Sequence, residues 1–417
     1  MKRRNPWLWV PSLYFTEGVP YFVVNSISVI LLKRLGMGNA SMAAWTSLLY
    51  LPWLIKPFWG PFVDRVKTKR WWVLSMQGAM VLLFLALALS LPKGIGAEVG
   101  LFRWTLLVFS LTAFVSATHD IAIDGFYMLG LSGKEQSLFV GIRTAFYRLS
   151  NLFVQGGVVV VAGVLELRTG SVPEAWRMTL GGLALVWALF TLYHSWALPR
   201  PDVDRSVTLR QNISSFFRRK GVWAGLLFIL LYRLPEALAL KIVPAFLVDP
   251  REVGGMGLST VDFGLVNNTV GVVGIVAGGI LGGVVVSRWG LRKVLWPMAL
   301  SLTLPCAVYL WMALDPSLPL PLVGACVALE QLGYGFGFTA VTLYMIHLSD
   351  GPGKTAHYAL CTAFMAASMM LPGLVAGYLE EALGYRGYFA LVLLSCSVTF
   401  ASLLLIYRSI PDGFGRE

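Results

Sequence analysis

The sequence predicts an all-α, polytopic membrane protein of twelve transmembrane helices arranged as two pseudo-symmetric six-helix halves. Composition, apolar stretches of bilayer length and one long polar interruption near the middle point there. Of 417 residues, 57% are hydrophobic and 13% charged, against about 25% charged in an average soluble protein. A membrane span takes about 20 mostly apolar residues, and such stretches recur from Trp7 to Tyr407.

Polar, Gly-rich and Pro-rich breaks place helices at about 7–32, 41–63, 71–91, 101–131, 136–165 and 175–198. Six more are expected at about 221–248, 259–286, 292–314, 319–348, 355–381 and 387–408. The long polar stretch, 199–220, lies between the sixth and the seventh. The expected organisation is therefore an N-terminal half (1–198), a cytoplasmic linker (199–220) and a C-terminal half (221–417). The N-terminal apolar run is too long for a signal peptide and lacks an Ala-x-Ala cleavage site, so it reads as an uncleaved first helix.

Lys and Arg accumulate on the cytoplasmic side of membrane proteins. Of the 33 cations, twenty fall at the two termini and in the loops after helices 2, 4, 6, 8 and 10. The opposite loops hold Lys33, Arg34, Lys93, Arg103, Arg168, Arg177, Arg251 and Arg386. Both termini are expected in the cytoplasm. The net charge of +12 does not point to nucleic acid, because the cations form neither a basic helix nor an aromatic RNA motif. Cys306, Cys326, Cys361 and Cys396 sit in apolar segments without a CxxC pair and read as packing residues.

Two segments repeat without gaps: Gly60-Pro-Phe-Val-Asp64-Arg65-Val-Lys67-Thr-Lys69-Arg70 and Gly283-Val-Val-Val-Ser287-Arg288-Trp-Gly290-Leu-Arg292-Lys293. Each joins the second and third helices of its half. The pattern resembles the Gly-x-x-x-Asp-Arg-x-Gly-x-Arg-Lys loop of the major facilitator superfamily. There the loop charges latch the cytoplasmic side closed, which implies gating roles for Asp64, Arg65 and Arg288. Ser287 stands where the first copy has its acid, so the second latch is expected to be weaker.

An ionisable group at mid-bilayer is expensive, at least about 2.5 kcal/mol on insertion scales, and marks function or pairing. Such groups are Glu17 in helix 1, Lys56 in helix 2, Asp120 and Asp124 in helix 4, and Arg143 and Arg148 in helix 5. Helix 7 adds Arg233, Glu236 and Lys241, and helix 10 adds Glu330. Asp120 and Asp124, four apart, face one side of their helix. They either share a proton, as close carboxyls can, or neutralise cations such as Arg143 or Arg148. Arg233 and Glu236 flank Leu234-Pro235, where proline removes a helix hydrogen bond. This reads either as a charged hinge and ligand site or as a local ion pair. Lys56 can bind ligand or snorkel to the headgroups, and Pro57 beside it favours a structural role. Asn267, Asn268 and Thr269 in helix 8 and Gln155 in helix 5 offer neutral hydrogen bonds for a sugar or peptide, or tie helices together. His119 is a relay candidate beside Asp120 or a satisfied buried histidine. The glycine runs Gly278 to Gly283 and Gly333 to Gly337 read as close helix packing, and Tyr334 to Phe338 has no strand or lysine to make it a nucleotide loop.

The blocks Glu17-Gly-Val-Pro20, Lys56-Pro-Phe-Trp-Gly-Pro-Phe-Val-Asp64-Arg65 and Ser116-Ala-Thr-His-Asp120-Ile-Ala-Ile-Asp124-Gly run in order along the chain. They are followed by Tyr147-Arg148-Leu149, Leu231-Tyr-Arg233-Leu-Pro-Glu236-Ala, Val266-Asn-Asn268-Thr269 and Glu330-Gln-Leu-Gly333. Together they resemble the AmpG-type muropeptide permeases and their acetyl-CoA transporter relatives within the major facilitator superfamily. The resemblance implies proton-driven import of anhydro-muropeptides, anionic sugar-peptides of cell-wall recycling, across the inner membrane. Lys56, Asp120, Asp124, Arg148, Arg233, Glu236 and Glu330 match charged positions of that family. In the superfamily, helices 1, 4, 7 and 10 line the central cavity. After Asp124 this chain has Phe126-Tyr127 where the muropeptide permeases carry Trp-Lys, and long members have two further C-terminal helices.

The expected protein is thus a proton-coupled carrier whose partners are an anionic small molecule, protons and the lipid bilayer, without nucleic acid. No Walker motif is present, so the energy source is expected to be an ion gradient, of protons as the resemblance implies, and no cofactor is expected. Expected proton-coupling residues are Asp120, Asp124, Glu236, Glu330 and Glu17. Expected substrate contacts are Arg148, Arg233, Lys56, Arg143, Lys241, Asn267, Asn268, Gln155 and Tyr127. The rival cargoes are a siderophore, a peptide or an acyl-CoA. A membrane-embedded acyltransferase would need a catalytic cluster, whereas His119, His194, His347 and His357 are scattered; the chain is expected not to be an enzyme.

Overall fold

The computed structural model describes residues 4–96, 99–131, 133–200, 216–219, 221–350 and 354–415. Among them there are no strands, and the helices form twelve segments. Helix α1 spans Pro6–Arg34, with a π turn at Val23–Ile27. Helix α2 comes in two pieces, Asn39–Leu48 and Leu51–Arg65. Helix α3 (Lys69–Ser90) starts at Thr68, whose hydroxyl accepts the Trp71 amide, a side-chain cap for a backbone donor that the helix leaves unpaired. Helix α4 is Arg103–Gly130. Helix α5 runs through Gly133–Asn151, a π turn at Leu152–Val158, and Val159–Thr169, ending at Gly170 with φ 66°. Helix α6 is Val172–Ala197, capped by Ser171.

Helix α7 is split into Val222–Leu231 and Leu234–Val248. Arg233 at the break has φ −99° and ψ 12°, and Pro235 follows in the first turn, where its missing N–H is no loss. Helix α8 (Thr260–Trp289) has a π turn at Gly264–Val270. Helix α9 (Leu291–Leu314) tightens to a 3₁₀ turn at Leu304–Cys306 around Pro305. Helix α10 is Leu320–Ser349. The stretch Lys354–Ile406 is divided by Gly384, at φ 63° and ψ 169°, into α11 and α12. Eight of these helical stretches, with α11 and α12 counted as one, are individually long and apolar enough to cross a membrane.

The boundaries read from hydropathy fall within a few residues of these elements. The split of α2 falls just before Pro52, the π turn of α1 follows Pro20, and the π turn of α8 contains Asn267-Asn268-Thr269. Phe58, Leu89, Leu167 and Leu394 point outward and are more than 70% exposed, as side chains facing lipid should be.

Cα packing groups the chain into two compact units, Met1–Gly38 with Ile55–Val207, and Asn39–Leu54 with Thr208–Glu417. The first piece of α2 thus packs with the second unit, against α11. The core of the first unit gathers Trp9, Val10, Leu13, Val73, Ile123 and Phe126. That of the second gathers Leu226, Phe228, Ile229, Met298, Leu302 and Tyr344. In the second unit α8 and α10 approach backbone to backbone. A Cβ on Gly278 would overlap the Leu332 carbonyl, and one on Gly335 the Ile275 carbonyl, as small residues permit between membrane helices. The four cysteines are buried and free.

The repeated loops share a backbone feature. Lys67 has φ 61°, and Gly290, its counterpart in the repeat, has φ 78°. A left-handed residue costs glycine little, so the first copy places a lysine where the turn is suited to glycine.

Candidate functional site

The first unit holds five charged side chains from four helices in contact with one another or with shared partners. Lys56 of α2 donates from Nζ to Asp120 Oδ2 of α4 at 2.6 Å. Arg143 of α5 pairs with Asp124 one turn on, NH1 to Oδ1 at 3.5 Å. Tyr14 of α1, almost fully buried, donates to Asp124 Oδ1 at 3.3 Å and accepts from Arg143 at 3.1 Å. The Arg143 guanidinium lies 5.0 Å from the Tyr14 ring centroid and 5.2 Å from that of Tyr127, within the range of cation–π attraction. Glu17 of α1 brings its carboxyl to that of Asp120, and its Oε2 is buried with no hydrogen-bond donor among the described residues.

The two aspartates therefore share a face of α4 but have separate cation partners. Arg143 takes one of them, and the other goes to Lys56, 64 residues away in sequence. Arg148, one turn beyond, is half-buried and makes no hydrogen bond or ion pair with a described residue. Phe126 packs edge-on against Trp9 in the core, whereas Tyr127 supplies a ring to Arg143. Gln155 lies in the π turn of α5, where its amide donates to Asn151. His119 reaches Gln77, which also reaches His194, while His119 Nδ1 has no partner among the described residues.

In the second unit, Arg233 at the break of α7 forks onto Glu236, Nε to Oε2 at 2.7 Å and NH2 to Oε1 at 2.8 Å. It also donates to the Tyr334 hydroxyl at 3.0 Å and lies 4.7 Å from the Phe338 ring centroid. The helix break and the local ion pair are thus both present at this point of α7. Glu330 is buried and receives Tyr309 OH at 2.9 Å and Gln331 Nε2 at 2.8 Å on Oε2, with no cation among the described residues beside it. Lys241, buried on α7, donates to Thr46 at 3.2 Å. Asn267 is half-buried in the π turn of α8, and Thr269 there bonds back to the Gly264 carbonyl at 3.3 Å. Such wide turns recur at functional sites in helices.

The side chains of Asp64, Arg65 and Asn268 lie outside the described residues. Arg288 is exposed and without a described partner. In the second loop it is Arg292 that finds an acid, Asp412 of the C-terminal segment at 2.7 Å, while the Leu291 amide donates to the Phe414 carbonyl at 2.8 Å. Among the described residues no group of three or more His, Cys, Asp or Glu side chains could hold a metal ion.

Sequence reasoning missed the tyrosines that complete these clusters, Tyr14, Tyr309 and Tyr334, and the hydroxyls of Thr46 and Ser47. Their signal would have been helical phase relative to a buried charge on another helix, which one sequence does not display.

Residues 12–356 match the model of the Major Facilitator Superfamily. The anhydromuropeptide permease of Escherichia coli K12 is 26% identical over 378 residues, spanning 87% of this chain and 72% of that one. A putative AmpG transporter ("AmpG 4") of Rickettsia felis is 23% identical over 416 residues, spanning 95% of each. The crystal structure of the nucleoside transporter NupG superposes with a TM-score of 0.73 at 15% identity, covering 95% of this chain and 98% of that one.

Proposed function

The chain belongs to the major facilitator superfamily and is a polytopic membrane transporter, not an enzyme; on that premise we propose that it imports anhydro-muropeptides across the bacterial inner membrane, driven by protons. The observation that carries the coupling is the charge balance of the first unit's cluster. Three carboxyls (Glu17, Asp120, Asp124) meet two cations (Lys56, Arg143), so one bound proton makes the group neutral. A site that must change its access through a low-dielectric barrier does so most readily without net charge. The proton is carried by these carboxyls, with Glu17, whose Oε2 has no donor, the member lacking an ion-pair partner.

Arg148, a half-buried cation without a described partner, supports an anionic cargo, since a guanidinium forks onto a carboxylate with two hydrogen bonds. The printed name of the Escherichia coli relative supports a muropeptide. Arg233 with Glu236, and Glu330 with Tyr309, exchange partners as the six-helix halves, 1–198 and 221–417, alternate access about a midplane site. Asp64, Arg65 and Arg288 latch the cytoplasmic loops, and both termini lie in the cytoplasm.

Proteoliposome uptake tests this reading. The wild-type chain should accumulate labelled anhydro-muropeptide when the pH gradient drives protons in the direction of uptake. Glu17→Gln should lose accumulation yet still exchange labelled for unlabelled cargo. Undiminished accumulation in Glu17→Gln and in Asp124→Asn would remove the cluster from the proton path.

A further inference from the structure

Lys241 is held quite differently from Arg233 on the same helix. It is 2% exposed. Its Nζ has Thr46 Oγ1 at 3.2 Å and the Tyr50 ring centroid at 5.0 Å. No carboxylate of the described residues pairs with it, and Glu236 is occupied on both oxygens by Arg233. A second polar group beside it is unsatisfied, because the Ser47 hydroxyl is fully buried with no hydrogen-bond partner among the described residues. Gly373 of α11 brings the two together, for a side chain there would overlap Ser47 Oγ and come within 3.0 Å of Lys241 Cε.

An ammonium has three donors and no acceptor, and one of the three is spent on Thr46. The neighbourhood therefore offers donors and an amine without a carboxylate of the described residues to match. A buried charge left without a counter-charge is strongly destabilising, and an arriving anion would supply the missing counter-charge. Thr46 and Ser47 belong to the last turn of the Asn39–Leu48 piece of α2, which the chain breaks from Leu51–Arg65. Only a separation of that short piece from α7 and α11 would uncover the amine and the hydroxyl together.

We propose that Lys241 and Ser47 form an oxyanion site that receives a carboxylate of the cargo, distinct from the Arg233–Glu236 pair; this rests on the anionic-cargo reading above. The test is thermal unfolding of the purified full chain in detergent, titrated with N-acetyl-D-alanine, with N-acetyl-D-alaninamide and with inorganic phosphate. The wild type should bind the acid at least about tenfold more tightly than the amide, the margin of a hydrogen bond to a charged group. Lys241→Met should abolish that preference, Lys241→Arg should keep most of it, and Ser47→Ala should weaken it. The ligand-free Lys241→Met protein should also unfold at a higher temperature, because methionine fills the volume without the charge.

Equal binding of acid and amide by the wild type, or a preference surviving in Lys241→Met, overturns the site. So does a lowered unfolding temperature or failure to fold of Lys241→Met, which would mark Lys241 as a structural prop. Phosphate binding as tight as the acid's, through the same lysine, overturns the assignment to cargo. Should the wild type take up no anhydro-muropeptide, the cargo reading falls while these titrations still decide the site.

Discussion

Replacing Lys56 by methionine keeps an apolar stem and deletes the ammonium that faces Asp120. The pair it breaks is 2.6 Å long, with side chains only 19% and 16% exposed. At an effective dielectric of about 20, unit charges at that separation attract by about 6 kcal/mol. Desolvation of the two groups offsets much of this, yet removing one partner of a buried pair still costs about 3–5 kcal/mol, because the survivor loses its counter-charge. Here the survivor is poorly placed: Asp120 abuts Glu17 and sits one turn from Asp124, so Lys56→Met leaves three carboxyls against Arg143 alone. The partial exposure places the expected loss near the lower figure, about 3 kcal/mol, or a little over a hundredfold in the unfolding equilibrium. Asp120→Asn should cost less, since it leaves Lys56 able to snorkel along its stem. The double variant should be more stable than the sum of the single losses implies, by about 1–3 kcal/mol. Unfolding of the purified protein by denaturant in mixed micelles, run as a double-mutant cycle, measures this coupling. If the two losses add to within about 0.5 kcal/mol, the ion pair carries no interaction and the charge balance argued above fails with it.

Lys67→Gly should stabilise the loop after α2. The residue sits at φ 61°, and relief of a left-handed non-glycine residue, about 1–3 kcal/mol, exceeds the added chain entropy of glycine, about 0.5–1 kcal/mol; an unchanged or lowered unfolding midpoint refutes this. Gly335→Val should force α10 off the Ile275 carbonyl of α8 and lower stability by about 1–3 kcal/mol. Gly283→Val, on a face with nothing within 4 Å, should stay within about 0.5 kcal/mol of wild type; equal losses at both positions would show that close packing does not decide them.

Much of the fold was legible because span length and hydropathy are local properties, counted along the chain. The twelve helical segments, the break at Arg233-Leu234-Pro235, the glycine faces of α8 and α10 and the unusual charges all have signatures within one window of sequence. The repeat Gly60 to Arg70 and Gly283 to Lys293 reappears as a positive φ at both Lys67 and Gly290, which the alignment placed in register before any coordinate did. The site was legible as a set of residues but not as a set of pairs.

Pairing depends on helix rotation and on register between helices distant in sequence, and only tertiary packing sets those. Asp120 and Asp124 stand one turn apart on α4, yet one faces Lys56 of α2 and the other Arg143 of α5. Lys241 looked like one more member of the helix 7 charges, but its surroundings come from Thr46, Ser47 and Gly373 on two other helices. The split of α2 is marked locally by Pro52, but its first piece is held by long-range contacts with α11 that the sequence does not display. The sequence by itself determined a membrane-spanning chain of twelve helices bearing charges that have to be reconciled with lipid. Tertiary structure alone decided which charges reconcile one another and which, Arg148 and Lys241 among them, are left facing no acid of the described residues.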